Sequence, residues 1–429
     1  MCGHDSVKTC LETEICNYSR SFLLFISHRL KMWTFIITVC LCQGIFSLKT
    51  FRTSEVPPAD FTINPESFLN VTEIISYHGY PSEEYQVVTE DGYILTIVRI
   101  PYGRYNDSNK GPRPAVLLYH GFLGDAAHWI SNQPSNSLGF ILADAGYDVW
   151  LGNSRGNTYS SRHKSLKASE EKFWEFSFHE MGYYDIPAVV DFILKKSWHQ
   201  QLYYVGHSEG SSVVVTNFKY YAFQMVLGNR GLLHYTACER RLVPMFCSHQ
   251  PKFCANIFFF VSGCDRPNLN MVSGILLLGR IKGTCVQVQQ IYNESRKQTL
   301  SLEAESRIDM YSAHFPAGTS VQNGLHWCQV YNGKLFRAYD YGSKEKNKAK
   351  YNQTTPPIYK IEEIKIPIAI WTGGKDLIVD QRDAAMLVSR ISNVIYKKCI
   401  PEWVHLDFIW GLDATKRMYM DIIEIMKYP

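Results

Sequence analysis

The sequence Gly206-His207-Ser208-Glu209-Gly210 follows an apolar run, Leu202-Tyr203-Tyr204-Val205, that is typical of a buried strand. A serine with a glycine two residues away on each side is the pattern of a tight turn between a strand and a helix. The turn exposes the serine hydroxyl, and it needs the glycines because a Cβ at either position would collide with neighbouring backbone. In this context the motif predicts that Ser208 is a nucleophile, although the pattern alone also occurs in ordinary loops.

A serine hydroxyl attacks an ester only when a histidine removes its proton and an acid holds that histidine. The run Ile366–Trp371 is typical of a strand, and Asp376 follows it in the loop where parallel sheets place their chemistry. A second run, Val394–Ile400, also predicts a strand, and His405 lies in the loop after it. The order Ser208, then Asp376, then His405 is the order found in α/β-hydrolases.

An oxyanion hole requires one backbone N–H from the loop after an early strand and one from the residue after the nucleophile. Ala115–Tyr119 predicts such a strand, and the loop His120-Gly121-Phe122-Leu123-Gly124 follows it. We therefore expect the N–H groups of Phe122 and Glu209 to be the donors. An ionised Glu209 carboxylate about 5 Å from the oxyanion would cost roughly 3 kcal/mol, so it points away, is protonated, or slows the reaction.

Longer stretches of the chain resemble the acid lipase family of gastric and lysosomal lipases, and within it the epidermal "lipase member" branch. Together they cover most of residues 56–214 and 305–429, and they include Gly79-Tyr80-Pro81-Ser82-Glu83-Glu84-Tyr85, Gly152-Asn153-Ser154-Arg155-Gly156-Asn157, Ser312-Ala313-His314-Phe315-Pro316-Ala317-Gly318-Thr319-Ser320-Val321-Gln322-Asn323 and His405-Leu406-Asp407-Phe408-Ile409-Trp410. The resemblance implies an α/β-hydrolase fold, with a mostly parallel central sheet flanked by helices and a helical cap inserted between nucleophile and acid.

The resemblance also implies roles for individual residues. It assigns the nucleophile, acid and base to Ser208, Asp376 and His405, and the oxyanion donors to Phe122 and Glu209, where family members usually carry leucine and glutamine. Residues 48–214 and 305–429 correspond to the two parts of the core, and residues 215–304 to the cap. A cap disulfide of the family corresponds to Cys254 and Cys264, which belong to the seven cysteines that follow residue 47.

Residues 215–304 differ from the family pattern. The core strand expected after the nucleophile helix has only one short candidate, Phe223–Leu227, and residues 272–304 have no counterpart in the family. One interpretation is that part of this segment derives from an altered splice form or an inexact gene model. A sheet without that strand would have an exposed edge prone to aggregation, which leaves an inactive product as an alternative.

The N-terminal residues predict entry into the secretory pathway. The basic residues of His28–Lys31, the short apolar core Trp33–Cys42 and the small residues within Gln43–Ser47 predict a signal peptide at residues 32–47. Such a signal ordinarily starts with methionine, so residues 1–31 read as an upstream extension before an internal start at Met32. A longer genuine precursor is the alternative. No later segment has the roughly 20 apolar residues of a transmembrane span. Four sequons then predict glycans, at Asn70, Asn106, Asn293 and Asn352.

Composition excludes several other functions. The net charge of +4 is small for 429 residues, and no basic helix or phosphate-binding glycine loop accompanies it, so we expect no nucleic-acid partner. No metal-ligand motif appears, and neither a metal nor another cofactor is expected. The resemblance to the acid lipases, together with the predicted signal peptide, implies a secreted or lysosomal serine lipase that meets triacylglycerols or sterol esters at a lipid–water interface. The alternative is a catalytically impaired or inactive lipid-binding member of the family, and the oligomeric state is open.

Overall fold

The computed structural model describes residues 64–105, 111–217, 224–228, 307–376, 378–379 and 381–427, with residues 224–228 described by their backbone. Several sequence predictions lie outside the described residues: the extension 1–31, the signal peptide 32–47, the pair Cys254 and Cys264, the sequons at Asn106 and Asn293, and most of 215–304. Among the helices of the described part, none is long and apolar enough to cross a membrane.

A single nine-stranded sheet forms the centre of the fold. Its strands are β1 Glu83–Val88, β2 Tyr93–Ile100, β3 Ala115–Tyr119, β4 Asp148–Leu151, β5 Arg162–His163, β6 Tyr203–Gly206, β7 Gln224–Gly228, β8 Ile368–Gly373 and β9 Val394–Ile400. The spatial order is β1-β2-β4-β3-β6-β7-β8-β9, with β5 on β2. Strand β2 pairs antiparallel with β1, β4 and β5, and every pair from β4 to β9 is parallel.

Helices cover both faces of this sheet. The α-helices are α1 Val71–Tyr77, α2 Leu138–Asp144, α3 Phe178–Glu180, α4 Ile186–Ser197, α5 Glu209–Thr216, α6 Ile308–His314, α7 Val321–Gly333, α8 Lys344–Tyr351, α9 Gln381–Arg390, α10 Asp407–Trp410 and α11 Met420–Lys427. Two π-helical segments, Met181–Asp185 and Thr415–Tyr419, lead directly into α4 and α11.

Alternation along the buried strands divides the apolar side chains into two cores. In β3, Val116 and Leu118 pack into one core with α1, α2 and α11, whereas Leu117 and Tyr119 pack into the other with α4 and α5. Successive side chains of a strand point to opposite faces, so a strand that is apolar throughout must be covered on both sides. All five residues of β3 are buried, as this arrangement requires.

The strand after the nucleophile helix is present. The prediction placed it at Phe223–Leu227, and β7 lies one residue later, pairing in parallel with β6 on one side and β8 on the other. The sheet is therefore continuous from β6 to β8, and the expectation of a missing core strand is wrong. Strand β8 begins and ends two residues later than the apolar run Ile366–Trp371 suggests.

Candidate active site

Ser208 lies in a sharp turn between β6 and α5. Its backbone has φ 53° and ψ −119°, a conformation that L-residues rarely adopt and that folded proteins retain mainly at functional sites. A Cβ on Gly206 would lie 2.7 Å from the carbonyl carbon of Gly210, and a Cβ on Gly210 would lie 2.4 Å from the carbonyl oxygen of Tyr119. Both glycines are therefore required by close backbone approach.

Three side chains from distant parts of the chain meet at this turn. The Oγ atom of Ser208 lies 2.9 Å from Nε2 of His405, and Nδ1 of His405 lies 3.0 Å from Oδ2 of Asp376. A carboxylate accepts only, so Nδ1 carries the hydrogen, and Nε2 is then free to accept the hydroxyl proton. The geometry gives a base within reach of a nucleophile and an acid that fixes the tautomer of the base.

Asp376 is held by the loop that follows β8. Its side chain is fully buried, and its second oxygen, Oδ1, accepts hydrogen bonds from the backbone N–H groups of Ile378 at 2.8 Å and Val379 at 2.9 Å. The acid loop is also joined to the base loop, since Lys375 N–H donates to the Trp403 carbonyl at 2.9 Å. The carboxylate is thus fully engaged, which fixes the direction in which it faces His405.

The predicted oxyanion donors flank the nucleophile. No hydrogen bond from the backbone N–H of Phe122 or of Glu209 to another described residue is found. The loop of Phe122 is held by a Gly124 N–H to Gly121 carbonyl bond of 3.0 Å, and Leu123 within it has φ 62°. That these two N–H groups form an oxyanion hole stays a prediction.

His120 supports the same loop from beneath. The Ser154 N–H donates to its Nε2 at 3.0 Å, so its Nδ1 carries the hydrogen and donates to the Gly121 carbonyl at 2.8 Å. Burial lowers the pKa of His120 to about 4. The imidazole is therefore neutral above that pH. Its two hydrogen bonds connect the segment after β4 to the loop of Gly121.

The surroundings of Glu209 bear on whether its carboxyl is ionised, which the sequence left open. Its carboxyl is buried and accepts hydrogen bonds from Nδ2 of Asn323 at 2.9 Å and from Nε1 of Trp327, both on α7. Burial raises its pKa to about 7, with the bonds from Trp327 and Asn323 acting in the opposite direction. The side chain is thus engaged by α7 and is neutral in acid solution.

Sequence reasoning missed the partners of Glu209. Asn323 and Trp327 lie more than a hundred residues further along the chain, and no local pattern links a glutamate to them. Asn323 also accepts the Phe178 N–H at 2.8 Å, so the same residue connects α7, α3 and the nucleophile helix. The one available signal was that Asn323 ends a stretch shared with the acid lipases.

His207, the residue before the nucleophile, is the other group whose role the motif did not reveal. Its Nε2 lies 3.0 Å from the backbone carbonyl oxygen of His405, and its ring is buried.

Of the sequons in the described part, Asn70 caps the N-terminus of α1 and Asn352 follows α8. Both asparagines are exposed, as a glycan acceptor must be.

Known proteins match the chain over most of its length. It is 40% identical over 439 residues to Lipase member M of Mus musculus, with 94% of each chain covered. This chain belongs to the acid lipase family. It is also 42% identical to Lipase member N of Mus musculus, with 92% of this chain and 98% of that protein covered. Lysosomal acid lipase/cholesteryl ester hydrolase of Homo sapiens is 41% identical, with 85% and 92% covered.

Family models agree with the topology. Residues 71–133 match the model described as a partial alpha/beta-hydrolase lipase region, and residues 114–220 match the alpha/beta hydrolase fold. The second range contains β3, β4, β6 and the nucleophile turn. The α/β-hydrolase fold expected from the order of Ser208, Asp376 and His405 is confirmed, and so is the resemblance to the acid lipases.

Proposed function

We propose that this acid lipase family member is a serine lipase that hydrolyses carboxylic esters of fatty acids, such as triacylglycerols or sterol esters, through an acyl-enzyme. The observation that carries the proposal is the continuous chain of contacts from Ser208 Oγ to His405 and on to Asp376, at 2.9 Å and 3.0 Å. Relatives named as lipases and as a cholesteryl ester hydrolase support the class of ester.

In the first half of the reaction, Ser208 Oγ attacks the carbonyl carbon of the ester while Nε2 of His405 takes its proton. The negative charge that develops on the carbonyl oxygen is stabilised by the N–H groups of Phe122 and Glu209. Asp376 stabilises the imidazolium of His405. When the tetrahedral intermediate collapses, the alcohol leaves with the proton from His405, and the fatty acyl group stays on Ser208.

In the second half, water attacks the acyl-enzyme by the same route. His405 takes one proton from the water, the oxyanion hole holds the new tetrahedral oxygen, and collapse releases the fatty acid while Ser208 recovers its proton from His405. The side chains provide the nucleophile, base and acid, so the proposed reaction needs no cofactor.

The proposed substrate and location follow from other parts of the chain. Esters as apolar as triacylglycerols require a dry, apolar groove. Because the predicted cap range 215–304 includes the end of α5 and strand β7, we assign the cover only to residues 229–304, which follow β7. The signal sequence 32–47 supports entry into the secretory pathway. A relative named as lysosomal supports a lysosomal destination, and secretion is the other outcome of the same route.

Covalent labelling tests this function. Purified protein should react with a fluorophosphonate probe and hydrolyse p-nitrophenyl esters, and Ser208→Ala should abolish labelling and lower kcat by about 10⁶-fold, as loss of a nucleophile does in such triads. Ser165→Ala is the matched control, because that serine is exposed in a loop after β5 and should leave both signals unchanged.

The alternative, an impaired lipid-binding family member, makes the opposite prediction. A folded wild-type protein that binds lipid vesicles but neither labels nor turns over any ester in the series would refute the lipase proposal. Continuity of the sheet through β7 favours the enzyme, because the strand between the nucleophile and the acid is in register with both neighbours.

A further inference from the structure

His207 lies between β6 and Ser208 and contacts the backbone of His405, the proposed base. Its Nε2 is 3.0 Å from the backbone carbonyl oxygen of His405, and the centroids of the two rings are 5.0 Å apart. A carbonyl oxygen only accepts, so Nε2 of His207 carries the hydrogen and donates it. The residue before the nucleophile is thus bonded directly to the backbone of the base.

The other edge of the His207 ring faces the oxyanion loop. A Cβ on Gly121 would lie 3.1 Å from Nδ1 of His207 and 3.0 Å from Cβ of Ser208. Nδ1 is buried and has no hydrogen-bond partner among the described residues. The imidazole of His207 therefore lies between the loop of Gly121 and the loop of His405. Its hydrogen bond is made to His405.

Burial keeps this imidazole neutral. It lowers the pKa of His207 to about 3, and the neighbouring His405 acts in the same direction. An imidazolium at this position would repel the imidazolium that His405 forms during the reaction. A neutral donor gives a hydrogen bond to His405 without adding a charge beside it.

We propose that His207 is a positioning residue that holds the backbone of His405 and thereby sets the distance between His405 and Ser208. Asp376 fixes His405 through its ring, and His207 fixes it through its carbonyl group, so the base is held at both ends. The inference rests on the proposed function and adds a residue to its machinery. A displacement of about 1 Å in such a site can cost about 100-fold in rate.

Two amide substitutions separate positioning from mere packing. In His207→Gln the side-chain amide nitrogen stands where Nε2 stood, so it still reaches the His405 carbonyl, whereas in His207→Asn the shorter amide reaches only the former Nδ1 position. We expect His207→Asn to lower kcat on p-nitrophenyl esters by about 10- to 100-fold with KM nearly unchanged, and His207→Gln to recover most of it. Equal kcat values for the two variants at equal stability would overturn the proposal.

A control and a structural measurement complete the test. His179→Asn alters another buried histidine, which contacts Tyr359 away from Ser208, and should leave kcat unchanged. Crystal structures of the two His207 variants provide a readout that needs no turnover. The distance from His405 Nε2 to Ser208 Oγ should stay near 2.9 Å in His207→Gln and increase in His207→Asn. An unmoved His405 in His207→Asn refutes positioning, whereas absent fluorophosphonate labelling of the wild type refutes the lipase itself.

Discussion

Glu209 couples the nucleophile helix to the pH of the solution. Its carboxyl is buried against Asn323 and Trp327, and burial raises its pKa to about 7. A carboxyl with a raised pKa stabilises the fold in its neutral form, so its contribution is complete below its ordinary pKa and is lost as the pH rises through about 7. Above that pH a negative charge is buried beside a proposed oxyanion donor.

The substitution Glu209→Gln should therefore matter increasingly as the pH rises from the ordinary carboxyl pKa toward 7 and above. Glutamine keeps an acceptor for Asn323 and Trp327 without the charge, so the melting temperature of the variant should gain on the wild type between pH 5 and pH 8, by an amount equivalent to roughly 3 kcal/mol at most. The kcat/KM ratio of variant to wild type should also rise across pH 7. Thermal melts and ester hydrolysis over this range check both expectations.

Glu171→Gln is the matched control for that experiment, because Glu171 is exposed at the surface. It should show neither change. If the ratio of Glu209→Gln to wild type were flat from pH 5 to pH 8, the buried carboxyl would have no influence on the site. A solvent-exposed glutamate would titrate near its ordinary pKa of about 4.3, and burial is what raises the pKa of Glu209 to about 7.

The sequence predicted that Ser208, Asp376 and His405 lie together, but it did not predict the contacts around them. Ser208, Asp376 and His405 follow strands with strong apolar runs, and parallel strands bring their following loops together at one edge. The bond from His207 to the His405 carbonyl and the contacts of Glu209 depend on packing between segments more than a hundred residues apart. No local pattern specifies such contacts, so only the folded chain could reveal them.

At the scale of elements, the distance between β3 and α5 is set by glycine. A Cβ on Gly210 would lie 2.4 Å from the Tyr119 carbonyl oxygen and 2.6 Å from that of His120, so helix and strand approach as closely as backbones can. This approach brings the N-terminus of α5 beside the loop that carries Phe122. The two proposed oxyanion donors depend on it.

Gly210→Ala should separate these two elements. The added methyl group has only rigid backbone to displace, so we expect a loss of about 1–3 kcal/mol in stability and loss of fluorophosphonate labelling. Gly333→Ala, at the end of α7, is the matched control, since its nearest atom would be a flexible Arg337 nitrogen at 3.7 Å. Wild-type labelling by Gly210→Ala would show that the close approach is not needed.

The strand bounds predicted from the sequence are exact for two strands and displaced for two others. The bounds expected for β3 and β9 agree with the structure, whereas β8 is displaced by two residues and β7 by one. The short β7 was nearly missed, since its five residues follow no clear period. The two π-helical segments had no signal in the sequence, because their extra residue per turn is imposed by packing.

At the scale of the molecule, buried histidines dominate the response to acid. Among the described residues, burial lowers the pKa of five buried histidines and of the partly buried His314; the five are His120, His128, His179, His207 and His326. A group with a lowered pKa contributes stability above its ordinary pKa, and this contribution is lost as the pH falls toward the lowered value. Three buried carboxyls with raised pKa values act in the opposite direction: Asp125, Asp185 and Glu209.

Because the histidines with lowered pKa values outnumber the carboxyls with raised ones, stability should decrease from pH 7 to pH 4.5. We expect the melting temperature to fall by at least about 5 °C over this range, and calorimetry in matched buffers measures it. A higher melting temperature at pH 4.5 would mean that the buried carboxyls prevail.

The last two strands of the sheet, β8 and β9, come from the C-terminal third of the chain. During synthesis, the candidate active site can therefore form only after this part has been made. His405 lies 197 residues after Ser208. At about 5–20 residues per second, roughly 10–40 s of synthesis separate the two residues. During that interval the growing chain carries a serine without its base, and such a hydroxyl does not attack esters. A ribosome that stalls before His405 therefore releases a fragment that cannot hydrolyse the lipids around it.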